Sequence, residues 1–304
     1  MPITSFMKRI PVIILAFGIA ACSYTGKKPA SAAKPLAETQ KNVAAVPKSP
    51  TRASRPVTPA KVEKTKPVFE PVAKARFGKF DVASYALGKN GDEFRLAVEH
   101  DGNSIAQTGE TYRTVKTALK KDIPASAETV VVEVFTGGAN CCLGYYLLTS
   151  LDGKEAAAFI EPRDSALAEA TDVGEGKSRT FTLTDPSFMY YTQGTVSLNR
   201  PESPRLERFI VFEDGAWRVD TRGEYVAAYK ALARKAKTNK EGNPTANAIS
   251  FAYYSLMAGT EKSAVAKAFN VMLPQEQSSL ASAMFTDVEK AVDSFTPLKI
   301  IRLQ

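Results

Sequence analysis

The sequence predicts an α+β protein: a mainly antiparallel β-sheet portion followed by a C-terminal group of about four helices. Three observations carry that expectation. The dipeptides Asn90-Gly91, Asp101-Gly102, Asp152-Gly153 and Asp214-Gly215 stand between stretches of strand character, and such pairs supply the positive φ angles that two-residue hairpin turns need. Beyond residue 221 the apolar residues recur every three or four positions, the period of a helix face. Strand-like and helix-like stretches are segregated along the chain, which argues against βαβ crossover units.

The elements follow in order. GKFDVASYAL (78–87) leads through Asn90-Gly91 into EFRLAVEH (93–100). One helix is expected at 109–121, where Tyr112, Val115 and Leu119 recur at helical spacing. TVVVEVF (129–135) is β-branched, as a pleated, half-buried surface prefers. LGYYLLTS (143–150) passes through Asp152-Gly153 into KEAAAFIE, and SRTFTLTD, SFMYYTQGTVSL and RLERFIVFEDGAWRVD continue to about residue 220. Residues 76–220 therefore read as eight to ten short strands. The lone Trp217, just after a hairpin turn, is expected as half-buried packing, with sugar stacking the lesser alternative. In GEYVAAYKALARKAK (223–237), Tyr225, Val226, Tyr229, Leu232 and Ala233 share one face, and the last turn is basic, complementing the helix dipole. Asn243-Pro244 offers a cap and a first-turn proline to the next helix. Thr260 is positioned to cap a third, and Pro274 to open a fourth in which Leu280, Met284, Val288 and Val292 recur every four residues. Such stripes are core faces before they are cofactor boxes or partner grooves. Residues 221–304 thus form a helical portion packed on a β-rich domain at 76–220.

The beginning of the chain has a different character. Lys8 and Arg9 precede an apolar stretch from Ile10 to Ala20, and small residues then lead to Cys22. That stretch is shorter than the ~20 residues of a membrane span and has the anatomy of an export signal. Ile19-Ala20-Ala21-Cys22 resembles the lipobox of bacterial lipoproteins. The resemblance implies that residues 1–21 are a removed signal peptide and that Cys22 becomes the mature N-terminus, carrying diacylglycerol and palmitate. Ser23 in place of aspartate implies sorting to the outer membrane, so that the domain faces the periplasm. Residues 22–75 are rich in proline, alanine, serine and lysine and poor in large apolar side chains. Such a segment cannot offset its ordering entropy and is expected to be a disordered tether, about 40 Å across as a coil.

The net charge of +8 is concentrated in that tether: residues 23–75 hold eleven Lys/Arg against three Glu, whereas 76–304 holds 27 basic and 29 acidic residues. A near-neutral folded part argues against nucleic acid as a partner. The expected partners are the membrane, through the lipid, and a cell-wall polymer or another envelope protein.

Familiar catalytic patterns are missing. Gly176-Lys177-Ser178 has Thr171 where a phosphate loop needs glycine. There is no G-x-S-x-G elbow and His100 is the sole histidine, which removes most histidine-assisted nucleophiles and most zinc sites. His100 directly precedes a turn and is expected to be solvated. Carboxylates are plentiful, but no spacing singles out a glycosidase pair. No metal site and no cofactor besides the lipid on Cys22 are expected.

The segment FTGGANCCLGYY (135–146) is the exception. With Cys22 acylated, Cys141 and Cys142 are the remaining thiols in an oxidising compartment. Neighbouring strand residues point to opposite faces, and adjacent Cα atoms are closer than disulfides usually span, so a bond between them needs a tight turn. Gly137 and Gly138 permit one. Three states fit: a vicinal disulfide, two reduced cysteines with one buried, or an intermolecular bond or shared metal. The vicinal disulfide fits best. The run Thr136 to Cys142 resembles a segment of uncharacterised exported bacterial proteins reading Thr-Gly-Gly-Ala-His-Cys-Cys, with Asn140 here in place of the histidine. Asparagine supplies no imidazole, so a histidine's chemistry does not carry over to this chain, whereas a turn-forming role does. The expected function is non-catalytic binding or structure in the envelope, with Gly137, Gly138, Asn140, Cys141, Cys142, Tyr145 and Tyr146 as the disulfide or ligand loop. The alternatives are a thiol-redox protein using Cys141 and Cys142, or a cell-wall glycan hydrolase.

Overall fold

Runs of β-branched and aromatic residues separated by Asp-Gly turns form antiparallel sheets in the computed structural model, which describes residues 70–87, 91–106, 110–138, 142–170, 173 and 179–303. These residues lie in one compact unit, Thr65–Gln304. The signal, Cys22 and the tether up to residue 69 lie outside the described residues, as does Gly176-Lys177-Ser178.

The first sheet holds β1 (Ala73–Phe77), β2 (Phe80–Leu87), β3 (Glu93–His100) and β4 (Asn103–Ser104) in sequential order. β1 takes in three residues that the sequence assigns to the tether. The second sheet is built from β5 (Thr114–Lys121), β6 (Glu128–Phe135), β7 (Leu143–Leu151) and β8 (Lys154–Arg163). A third contains β9 (Leu167–Glu169), β10 (Phe181–Asp185), β13 (Leu206–Glu213) and β14 (Ala216–Val219), with β11 (Thr192–Gln193) and β12 (Val196–Ser197) as a separate small ribbon. Helices α1 (Val226–Thr238), α2 (Pro244–Met257), α3 (Lys262–Met272) and α4 (Ala281–Ser294) follow, and β15 (Leu298–Ile301) returns to pair with β8. The class is α+β, as the sequence predicts.

The central strands of the second sheet, β6, β7 and β8, are buried on both faces, which explains their nearly continuous apolar runs. Val130, Val132, Val134, Tyr146, Leu148, Ala157 and Phe159 pack against Phe80, Val82, Leu96 and Val98 of the first sheet. Their neighbours Val131, Tyr145, Leu147, Ala158 and Ile160 pack against Phe181, Leu183, Ile210 and Trp217 of the third. The alternation is the period-2 geometry of a strand. The helices cover the third sheet, where Phe209 and Leu206 join Tyr229, Tyr253, Met284 and Val288.

Three of the turn dipeptides act as expected: Asp101 and Gly102 (φ 48° and 81°) close β3 onto β4, Asp152 and Gly153 (51° and 74°) close β7 onto β8, and Asp214 and Gly215 (52° and 79°) close β13 onto β14, while Asn90 of the fourth lies outside the described residues. Among the described residues fourteen strands precede the helices; four of them have only two or three residues, which is why the sequence shows eight to ten. Asn243 caps α2 as anticipated, accepting from the amides of Thr245 and Ala246 behind Pro244. Glu261, not Thr260, caps α3, because its carboxylate reaches the amides of Ser263 and Ala264.

The helix expected at 109–121 is absent. Residues 114–121 are edge strand β5, paired along its length with β6, and Tyr112 turns into the core through a bridge to Phe94. The helical spacing of three apolar residues is outweighed by eight ladder partners and by the β-branched Thr114, Val115 and Thr117. Trp217 is fully buried, not half-buried. Its Nε1 donates to Thr149 Oγ1 at 2.8 Å across the interface of the second and third sheets.

Candidate functional site

The β6–β7 connection carries the cysteines. The strands' last pair is Phe135–Leu143, and the amide of Thr136 donates to the carbonyl of Cys142 at 3.2 Å. Gly137, Gly138 and Cys142 have φ angles of 99°, 115° and 140°, a region open to glycine and costly for a side chain. The sequence supplies glycine at two of these positions and cysteine at the third. Cys142 is disulfide-bonded. Ala139, Asn140 and Cys141 lie outside the described residues.

Leu143 and the register shift that follows it set the loop's position on β7. Gly144 makes the shift possible: a Cβ there would stand 3.0 Å from Pro162 Cγ and 3.1 Å from the carbonyl oxygen of Ile160. Gly144→Val is therefore expected to destabilise the fold by about 1–3 kcal/mol through overpacking, measured by urea denaturation.

Beside Cys142 opens a cleft of about 390 Å³. Phe135, Gly138, Cys142 and Leu143 form one wall. Arg163 at the end of β8 and Asp164, Ser165 and Ala166 between β8 and β9 form another, and Thr184, Met189, Arg200 and Arg205 complete it. The amide of Thr184 fixes the floor by donating to the carbonyl of Ala166 at 3.0 Å. Arg200 donates to Asp164 at 2.9 Å and Arg163 to Glu161 at 3.1 Å. Lys299 and Arg163 together hold the Glu161 carboxyl below the ordinary glutamate range. Arg205 is exposed, with no side-chain partner among the described residues, and the buried hydroxyl of Ser165 has no hydrogen-bond partner.

Gly138 and Cys142 border this cleft, and Gly137 stands in the same turn with Arg113 Cγ 3.2 Å from where its Cβ would be. The two tyrosines depart from expectation. Tyr145 and Tyr146 belong to β7 and are buried on its opposite faces, not displayed on the loop. Tyr145 accepts from the amide of Leu167 at 3.2 Å, and burial raises its phenol. The central place of β7, with both faces covered, consumes them as core.

His100 is also a correction. It is buried at the end of β3, tilted on Phe80, with Nε2 2.8 Å from Glu155 Oε2 and no partner for Nδ1. Its strand pairing with Phe80 brings it under β8, out of the solvent that its place before a turn suggests.

A third polar cluster fastens the helices to the third sheet. Arg208 donates through Nε to Asp220 Oδ1 at 2.9 Å and through Nη2 to the carbonyl of Asp220 at 2.7 Å. Its Nη1 donates to the carbonyl of Val292 at 3.1 Å. Tyr229 donates to Asp220 at 2.5 Å and Tyr253 to Asp185 at 2.6 Å. Burial is the first cause that raises both tyrosine hydroxyls well above their ordinary range. Every member has a partner, so the cluster reads as structural.

Arg163, Ser165, Arg200 and Arg205 had no spacing signal. They come from two loops, RDS (163–165) and NRPESPR (199–205), which only the third sheet brings together. Among the described residues no group of three or more His, Cys, Asp or Glu is placed to hold a metal ion, and no helix is long and apolar enough to cross a membrane. No protein-family model matches this chain, and neither the characterised proteins nor the solved structures include a match to it.

Proposed function

We propose that this chain is an outer-membrane lipoprotein whose periplasm-facing α+β domain binds a ligand without transforming it, in the cleft beside Cys142. The observation that carries the reading is the cleft itself. It is concave and of a size suited to a small molecule, and it is walled by a turn whose three positive φ angles fix the backbone where Cys142 stands. The bond of Cys142 is, in this reading, the vicinal one to Cys141, and it rigidifies the cleft's rim. The lipobox and the Pro/Ala/Lys-rich segment supply anchor and reach. Partners are the membrane through the lipid and a cell-wall fragment or envelope protein at the cleft.

Hydrogen exchange on the mature chain with envelope fragments tests the binding role. Protection at 142–143 and 163–166 is expected; protection confined to other segments, or none, removes the cleft as the binding site. Anchoring has its own check. Cys22→Ser is expected to move the chain from the membrane to the aqueous fraction, because two or more acyl chains give stable attachment and none gives little. Unchanged membrane partition of that variant would refute the lipid anchor.

A further inference from the structure

We propose that the ligand of this cleft carries an oxyanion, a carboxylate or phosphate group, received by Arg205, Arg163 and the hydroxyl of Ser165. The inference rests on the reading of the cleft as the binding site and names the chemistry of what enters it.

Ser165 belongs to the cleft's lining and is 3% exposed, and its buried hydroxyl has no hydrogen-bond partner. Buried hydroxyls are almost always paired, and this one keeps a free donor for an incoming acceptor. Arg205 borders the same space with its guanidinium unengaged among the described residues. Arg163 spends one nitrogen on Glu161, which orients the planar fork and leaves further N–H groups for a second acceptor. Asp164 is the single carboxylate among the described lining residues, and Arg200 engages it at 2.9 Å. Three guanidinium groups against one carboxylate leave the described lining residues at a formal charge of +2, although the folded part as a whole is slightly acidic. Guanidinium forks match carboxylate and phosphate oxygens two at a time, and a concave wall shields that contact from water. Glu161 stays outside the lining and fixes Arg163 from behind. Neutral sugars would not require this excess of cations.

Calorimetric titration of the full mature chain in neutral detergent micelles, with inorganic phosphate and separately with citrate in a low-salt chloride buffer, provides the test. Binding is expected with at least one probe. Arg205→Gln is expected to weaken it by about tenfold and Ser165→Ala by about threefold, both variants retaining the wild-type circular dichroism. Binding should also fall as chloride rises. Anionic-lipid vesicles competing with the bound probe would assign the oxyanion to a headgroup, and failure of such vesicles to compete would assign it to a small free molecule. No binding of either probe up to about 10 mM, or binding indifferent to both substitutions, overturns the proposal. Uncharged wall saccharides that protect 163–166 from exchange while phosphate and citrate do not would also overturn it. In that case the cleft remains the binding site, so the two readings fail separately.

Discussion

Arg208→Ala is expected to destabilise the protein by about 3–5 kcal/mol, because it strips the partner from a buried carboxylate. Arg208 and Asp220 are both almost fully buried, at 4% and 2% exposed. The guanidinium bonds to the Asp220 side chain, to two backbone carbonyls and, at 3.5 Å, to the Tyr253 hydroxyl. One of those carbonyls, that of Val292, belongs to α4, and Tyr253 belongs to α2. A single side chain from β13 therefore ties two helices to the sheet. Removing it leaves the Asp220 carboxylate, among the described residues, with the Tyr229 hydroxyl alone, and leaves the Val292 carbonyl without that donor. Arg205→Ala, three residues earlier and exposed, is expected to change stability by less than about 0.5 kcal/mol. Urea denaturation of both variants checks the contrast. Equal effects would mean that the buried network does not hold the helices in place.

Trp217→Ala is expected to cost about 3–5 kcal/mol through lost burial and the cavity left behind. The indole lies at the interface of the second and third sheets, against Phe181 at 5.6 Å and Phe212 at 5.2 Å between ring centroids. It also begins a hydrogen-bond chain whose direction is fixed by its ends. Indole N–H can only donate and a carbonyl can only accept. Trp217 therefore donates to Thr149, Thr149 to Thr129 at 2.8 Å, and Thr129 to the carbonyl of Ile123 at 2.6 Å. Thr129 and Thr149 are both 0% exposed, so no water substitutes for a lost partner. Trp217→Phe keeps much of the packing but removes the first donor. It is expected to cost about 1–3 kcal/mol. Thermal or urea unfolding that ranks Phe as damaging as Ala would show that the hydrogen-bond chain, not ring volume, dominates.

The fold class was legible because it depends on local signals. Asp-Gly pairs make their turns with little tertiary help, and the stripes of α1 and α4 keep their period along the sequence. Residues 109–121 were misread because tertiary pairing decides an amphipathic stretch that is polar on most sides; β5 is largely exposed and is a strand only because β6 lies beside it. His100 and Trp217 share a different cause. Each follows or precedes a turn, where exposure is the default, but each lies under a second sheet that no local signal reveals. At the candidate site the glycine-rich turn before Cys142 could be read directly. The arginines and Ser165 could not, since they reach the cleft through two loops some 35–40 residues apart in sequence. Tyr145 and Tyr146 follow the turn closely enough to be candidates for the ligand loop, but the strand expected at 143–150 is covered on both faces and buries both of them.

Peptide mapping of the mature chain under non-reducing conditions tests most directly whether the paired cysteines close on each other at the rim of the binding cleft. The expected result is one peptide containing both Cys141 and Cys142, about 2 Da lighter than its reduced form, with no cross-link to another peptide. Two labelled free thiols, or Cys142 joined to a peptide from elsewhere in this chain or from a second copy, would contradict it.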